Sequence, residues 1–433
     1  MSAALLAPKP PRDPGLEELA APLAPISYRA PIAYGLLTVI AAAGFGLGLG
    51  STERTKFSLA SRTDLFQLPD FAVPSQAAVI ALVVVMAGLT VIAFRRAMNR
   101  VKTRVWLPSV FGLAWVLAFM VWVIADKPST WTIPALLAAS LSLSIPLVFG
   151  ALTGLVCERV GVINVAIEGQ LLFGAFLAAV VASVAGSAYW GLVAAPLAGA
   201  LVGALLALFA VKYWVDHIIV GVVLNVLMTG LTSYLFSTIL TANPDMNKAM
   251  QLPKLPIPLL SQIPVIGPVM FRQSLLVYIM YALIAVLNVM LFRSRWGLRM
   301  RACGEHPEAA DTVGIKVNRT RIRNTILGGS IAGLGGAFFT VEMGLAFGKE
   351  MSAGKGFIAL AAMILGRWNP KGAVAAALLF GFANELAQMM GTMNTPIPSN
   401  ILLMIPYVLT ILAVAGLVGQ VRAPAAEGGF YRD

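Results

Sequence analysis

Apolar residues run through this chain in segments of about 20, the length that a helix needs to cross the hydrocarbon core of a membrane. Short polar or basic stretches separate these segments. The pattern predicts an all-α, polytopic helical membrane protein with about 10–12 transmembrane helices. The 356–367 segment is short and could be re-entrant. The expected spans lie at about 30–50, 75–94, 105–125, 133–155, 162–187, 190–211, 218–241, 274–292, 324–346, 356–367, 371–391 and 399–419.

Basic residues predict how these spans are oriented. The chain is 59% hydrophobic and only 12% charged, with a net charge of +12. Because Lys and Arg concentrate in cytoplasmic loops, we expect residues 95–104 and 293–323 on the inner side. Both termini would then be cytoplasmic. The proline-rich residues 1–29 are expected to form a disordered tail, and residues 424–433 a second, short tail.

The basic stretch 293–323 contains a small central core, GEHPEAADTVG, that predicts a short helix. Pro307 suits the first helical position, and Gly314 suits the left-handed residue that follows a helix end. The helix would have a small apolar face formed by Ala309, Ala310 and Val313. Such a helix, held in water between two spans, suggests a docking element for another protein. An ordinary basic loop is the alternative.

Polar residues also occur where the pattern places membrane, most densely in CERVGVINVAIEGQLLFGAF, 157–176. A charge near the bilayer centre costs about 2.5–3.5 kcal/mol on insertion scales, so it normally faces protein or water. Gly161 and Gly169 bracket the patch and favour a broken helix. Asn164 and Glu168 are therefore candidates for lining a transport pathway. A structural polar cluster that only fixes helix packing is the alternative.

Further along the chain, other polar residues fall within predicted spans. Asn225 is a lone amide for which interhelical hydrogen bonding is the simpler explanation. A second cluster occurs in GFANELAQMM. The remaining candidates for the pathway lining are Asn225, Asn384, Glu385 and Gln388.

Motifs for catalysis and metal binding are missing from the sequence. No G-x-x-x-x-G-K-[ST] phosphate loop occurs, so ATP hydrolysis by that route would require a separate chain. The two cysteines and two histidines form no metal-spacing pattern. We therefore predict no catalytic residue, no metal site, no cofactor and no nucleic-acid partner.

Three sequence blocks together resemble the permease subunits of bacterial ABC importers for branched-chain amino acids, ribose-type sugars and nucleosides. They are GVINVAIEGQLLFGAF (161–176), GLRMRACGEHPEAADTVGIKVNR (297–319) and KGFIALAAMILGRWNPKGA (355–373). The chain is most similar to the nucleoside permeases. The resemblance covers roughly residues 133–423, so residues 30–132 would be additional N-terminal transmembrane helices.

The resemblance implies that the basic stretch carries a coupling helix that docks on an ATPase. The implied coupling residues are Gly304, Glu305, Pro307, Glu308, Ala309, Ala310 and Gly314. It also implies ATP on a partner subunit, a second homologous permease, an extracellular substrate-binding lipoprotein, a small-molecule substrate and a bacterial plasma membrane. The alternatives are a same-family permease for simple sugars or branched-chain amino acids, and a secondary transporter with Glu168 or Glu385 as its proton carrier.

Overall fold

The structure is a computed structural model. It describes residues 28–46, 49–50, 53–59, 64–66, 68–101, 106–125, 131–392, 401, 404, 407 and 423–432. Most of the predicted tail 1–29 and of the predicted span 399–419 lies outside these residues.

Helices make up nearly all of the regular structure. Ten of those described are long and apolar enough to cross a membrane, which confirms the all-α polytopic fold. The helices are α1 (Arg29–Ile40), α2 (Ser75–Met98), α3 (Trp106–Ile124), α4 (Ile133–Glu158), α5 (Ile167–Ala185), α6 (Ala188–Ala207), α7 (His217–Leu235), α8 (Leu275–Arg293), α9 (Arg295–Glu305), α10 (Pro307–Thr312), α11 (Val317–Ala337), α12 (Lys355–Leu365) and α13 (Pro370–Thr392).

Wider, π-helical turns lengthen four of these helices. They carry α1 to Gly46, α6 to Lys212, α7 to Leu240 and α11 to Gly344. The predicted segment 356–367 corresponds to α12, whose 11 residues are too few to cross a bilayer alone.

Five short strands lie in the connections. They are β1 (Arg54–Ser58), β2 (Phe71–Pro74), β3 (Trp131–Thr132), β4 (Lys254–Pro256) and β5 (Arg272–Ser274). β4 and β5 pair antiparallel, with Leu255 opposite Gln273. These strands order the connecting loops.

The chain divides into two compact units: Met1–Lys56 with Ala72–Ser129, and Phe57–Phe71 with Thr130–Asp433. In the first unit, Phe45 packs between α3 aromatic rings, at 5.5 Å from Trp115 and 5.3 Å from Trp122 between ring centroids. Large aromatic side chains contribute much of the buried area in such small cores.

Helix α4 lies at the centre of the second unit, where it packs against α11, α12 and α13. All residues from Leu143 to Glu158 are buried. Nearby, α6 and α11 pack backbone to backbone, since a Cβ at Gly199 or Gly333 would collide with the opposite main chain. Small residues allow this close approach, which favours helix association within a membrane.

Candidate functional site

The connection between α4 and α5, residues 159–166, is non-helical. Gly161 has φ +92°, a conformation that favours glycine, and a Cβ there would lie 2.8 Å from Arg321 Nη2. Gly161 therefore marks a real interruption between helices, whereas Gly169, the other glycine of the predicted break, lies inside α5.

This connection turns back beside α4. A Cβ at Gly150 or at Gly154 would lie 3.1 Å or 3.4 Å from the side chain of Ile167, the first residue of α5. Since a helix rises 1.5 Å per residue, the start of α5 lies beside α4 at a point roughly 6–12 Å back from the C-terminal end of α4. Residues 159–166 thus return into the helical bundle as irregular backbone, whose polar groups need partners there.

Buried amide side chains supply some of those partners. Asn225 Oδ1 accepts a hydrogen bond from the Gly169 N–H (2.8 Å), and Asn225 Nδ2 donates to the Val165 carbonyl (2.9 Å). Asn164 Oδ1 accepts from the Ala166 N–H, and its Nδ2 donates to Gln170 Oε1, both at 3.1 Å. These two amides hold the irregular segment and the start of α5 in place.

Glu168 joins α5 to the beginning of α12. One carboxylate oxygen accepts from Ser352 Oγ (2.6 Å) and the Gly354 N–H (2.8 Å), and the other accepts from the Gly356 N–H (2.6 Å). A carboxylate at a helix N-terminus satisfies amides that have no intrahelical partner and interacts favourably with the helix dipole. Glu168 therefore acts as the cap of α12.

The far end of α12 is also tied to α4. Trp368 Nε1 donates to Glu158 Oε2 (2.6 Å), and Arg159 Nε donates to the Trp368 carbonyl (2.9 Å). Burial lowers the pKa of Arg159, an effect that the nearby Glu305 carboxylate partly offsets. Both ends of α12 are thus fixed to the polar segment that the sequence singled out.

The predicted pathway residues fall into two groups. Asn164, Glu168 and Asn225 are buried and hydrogen-bonded as described. Asn384 and Gln388 instead line a cavity of about 510 Å³ between α4, α11, α12 and α13. Glu385, their neighbour on α13, is half-buried and is not part of that lining.

This cavity has a mixed lining of aromatic, amide and basic groups. Phe338 and Phe339 contribute rings, and Lys355 Nζ lies 5.4 Å from the centroid of the Phe339 ring. Both rings are buried, with Phe338 0% and Phe339 4% exposed, so they form the wall of the cavity, whereas Tyr407, 54% exposed, offers an accessible aromatic face. An accessible ring and two amides together suit a flat, polar ring that can stack and hydrogen-bond. Sequence reasoning missed the aromatic members because they lie within apolar runs.

The predicted short helix of the basic stretch is present as α10. Pro307 begins it, and Gly314 beyond its end has φ +82°, as the sequence predicts. The predicted apolar face is wrong in one member, since Ala310 is 3% exposed and packs inside the protein. Val313 is 74% exposed, and Ala309 is exposed beside it. The accessible apolar side chains of this segment are therefore Ala309, on α10, and Val313, just after its end.

The basic stretch contacts the α4–α5 connection directly. Gly304, at the end of α9, lies so close to Arg159 that a Cβ would collide with the Arg159 carbonyl oxygen. Met300 and Cys303 on the same helix are buried. Any displacement of α9 would therefore press on the irregular segment beside α4.

The C-terminal tail, residues 423–432, completes this junction. Its backbone pairs with both sides of the contact: the Ala426 N–H donates to the Gly304 carbonyl (2.8 Å), and the Gly428 N–H donates to the Gly161 carbonyl (3.1 Å). Arg321, 1% exposed, donates to the Gly429 carbonyl (2.6 Å). Sequence reasoning missed this role, because the tail binds mainly through backbone atoms, which no residue pattern reveals.

Within the part of the chain that the structure describes, ten helices are long and apolar enough to cross a membrane, so the protein is a multi-pass membrane protein. A family model described as the permease component of branched-chain amino acid transport systems matches residues 136–414. The chain belongs to this family.

Two bacterial relatives match over most of their lengths. The chain is 38% identical to the nucleoside ABC transporter permease protein NupC of Lactococcus lactis over 309 residues, 69% of this chain and 97% of the relative. It is 37% identical to the guanosine ABC transporter permease protein NupQ of Bacillus subtilis over 303 residues, which are 68% of this chain and 95% of the relative. No solved structure matches the chain.

A more distant relative carries a different name. The putative glucose ABC transporter permease protein TsgC13 of Haloferax volcanii is 29% identical over 255 residues, 58% of this chain and 76% of the relative. Family and relatives together make the chain a permease of the ABC transporter type, a transport subunit.

Proposed function

We infer that this chain is the permease of an ATP-driven importer of nucleosides. The observation that carries the inference is the 37–38% identity to two nucleoside or guanosine permeases over nearly their whole lengths. The relative with a glucose name is less similar and covers less of this chain. Nucleosides are therefore a better-supported substrate class than simple sugars.

The proposed complex contains this permease, a second homologous permease, ATPase subunits and an extracellular substrate-binding lipoprotein. It lies in a bacterial plasma membrane with both termini of this chain inside. The ATPase docks on the accessible side of α10, which is formed by Ala309 and by Val313 just after the helix. The basic residues around α10 support the inner location, because cytoplasmic loops are enriched in Lys and Arg.

Coupling follows the chain of contacts inside the second unit. Closure of the ATPase moves α10 and α9, and Gly304 transmits this displacement to the Arg159 main chain. The irregular 159–166 segment passes it to α5 and, through Glu158 and Glu168, to both ends of α12. Small shifts of this kind become larger rearrangements where packed elements have two stable arrangements.

The cavity between α4 and α13 is the proposed contact region for the substrate. A nucleobase stacks on an accessible aromatic face such as that of Tyr407, and Asn384 and Gln388 supply hydrogen-bond donors and acceptors. Specificity would rest mainly on the binding lipoprotein.

The test is uptake by proteoliposomes that contain the whole complex. We expect accumulation of a labelled nucleoside only when ATP, the ATPase and the binding protein are all present. An Asn384→Ala/Gln388→Ala variant should lower nucleoside uptake while ATPase subunits still co-purify. Uptake driven by a proton gradient without ATPase would overturn the proposal in favour of a secondary transporter. Uptake of glucose or branched-chain amino acids alone would overturn the substrate class.

A further inference from the structure

Five cations surround one cavity of about 540 Å³ beside α10. Two come from the start of α9, and three come from the start of α11 and the residue before it. No acidic residue lines the cavity. The five cations are Arg295, Arg299, Lys316, Arg319 and Arg323.

None of these five side chains forms a hydrogen bond or ion pair with any residue in the described part of the chain. Other arginines nearby differ: Arg321 donates to the Gly429 carbonyl, and the Arg301 guanidinium lies 5.6 Å from the centroid of the Phe292 ring. The cations of the cavity are therefore available to a ligand.

The helix ends increase the positive potential. Arg295 begins α9, and Lys316 directly precedes Val317, the first residue of α11. The N-terminus of a helix carries partial positive charge and unpaired N–H groups. It attracts anions, whereas both helices have cationic side chains there. At α9 the Ser294 side chain already accepts from the Gly297 N–H, so the positive potential comes mainly from the five cations and from the start of α11, where Lys316 provides no side-chain cap. A bound anion would stabilise this arrangement.

The location of the cavity identifies the kind of anion. Candidate membrane-spanning helices end at Arg293 and begin at Val317. The second helix carries Arg319, Arg321 and Arg323 before its apolar part begins, which puts the cavity just outside the hydrocarbon core, where a bilayer has its headgroups. Besides Val313, which the ATPase would contact, two apolar side chains line it: Leu298, with 62% of its surface exposed, and the half-buried Ile315. A soluble phosphate needs no such apolar edge, whereas the glycerol and first methylenes of a lipid do.

We propose that this cavity binds the phosphate headgroup of an anionic phospholipid, with Arg299, Arg319 and Arg323 among its cationic contacts. The site is beside α10 and would hold the ends of α9 and α11 together at the membrane surface. Anionic lipid would thereby set the position from which the docking helix moves.

Native mass spectrometry of the full-length permease in detergent tests the proposal, with phosphatidylglycerol and phosphatidylcholine as probes. We expect selective binding of phosphatidylglycerol. Arg299→Gln/Arg323→Gln should weaken it roughly 25-fold, because each cation near a membrane surface contributes about fivefold. Arg95→Gln/Arg100→Gln, which removes two exposed cations elsewhere, should leave it unchanged.

Three results would overturn the assignment. Equal binding of phosphatidylglycerol by wild type and Arg299→Gln/Arg323→Gln would remove the site. Displacement of phosphatidylglycerol by millimolar inorganic phosphate would make it a site for soluble anions. If Arg299→Gln/Arg323→Gln kept phosphatidylglycerol but lost the co-purifying ATPase, an acidic surface of the ATPase would be the occupant.

Discussion

At the scale of single residues, the carboxylate of Glu168 shows how a charge is held inside a membrane protein. It accepts hydrogen bonds from Ser352 Oγ and from the Gly354 and Gly356 N–H groups. Hydrogen bonds to an ionised group are stronger than neutral ones, at about 1.5–3 kcal/mol each. An acidic residue in a predicted span can therefore serve the fold as well as transport.

We expect Glu168→Ala to lower the melting temperature of the purified permease strongly. It leaves the buried donors at the start of α12 without an acceptor, at about 1–3 kcal/mol each. Glu168→Gln should cost less, since its carbonyl oxygen still accepts. Gln388→Ala, in the cavity lining, is the control and should leave the melting temperature unchanged. A Glu168→Ala protein that melts like wild type but transports nothing would assign the carboxylate to the pathway instead.

At the scale of elements, α10 presents one face to its own protein and another to solvent. Ala310 is buried, and the Ala310 N–H donates to the His306 carbonyl (3.0 Å). Val313 is exposed past the end of the helix. A substitution on this short helix therefore acts on folding or on docking according to its position.

Val313→Asp should reduce ATPase co-purification about tenfold or more, the effect of losing about 1.4 kcal/mol of binding free energy. It places a charge on the accessible apolar side of α10 without disturbing the interior. Ala310→Asp should instead lower thermal stability, because it buries an unpaired carboxylate within the permease.

Pull-down of the ATPase and thermal unfolding, measured on the same preparations, separate these two effects. Met250→Asp alters an exposed apolar residue of the 242–273 loop and serves as the control. Normal ATPase recovery with Val313→Asp would place the docking surface elsewhere.

At the scale of the whole molecule, the C-terminal tail joins parts of the chain that are far apart in sequence. Besides its backbone contacts with α9 and the α4–α5 connection, Phe430 packs edge-on against His217. Burial raises the pKa of Glu427, and a hydrogen bond with Glu158 partly offsets this. Two carboxyl groups can share such a bond only if one of them carries a proton.

Tail docking should therefore weaken as pH rises. A folded-state pKa above the ordinary value for glutamate means that the folded protein binds the Glu427 proton more tightly than the unfolded chain does. The stabilising contribution is full below the unfolded pKa and is lost as pH rises through the raised pKa. Glu427→Gln, which resembles the protonated acid and cannot ionise, should reduce this dependence, and the Glu158 carboxyl remains as the other titratable group of the pair.

A spin label at Ala425→Cys can report on the tail. Ala425 is exposed, and both native cysteines are buried, so labelling should be specific. The label should become more mobile as pH rises, and less so when Glu427→Gln is also present. Equal mobility at all pH values in the Ala425→Cys protein would contradict the role of Glu427.

The sequence by itself determined the all-α membrane fold, the helix of the basic stretch and the resemblance to the family. These follow from local patterns: apolar runs that match the thickness of a bilayer, and a proline and a glycine at the two ends of α10. Each can be read from neighbouring residues. The resemblance to the permease family rests on the similarity of three long sequence blocks.

Only the tertiary structure decided which polar residues have partners and which reach a cavity. Glu168 and Asn384 look alike in the sequence, as polar residues in apolar runs, but Glu168 caps α12 and Asn384 faces a cavity. It also decided that Ala310 faces inward and that the tail binds Gly161 and Gly304. These outcomes depend on backbone atoms and side chains brought together over long sequence separations, and a linear pattern does not contain those distances.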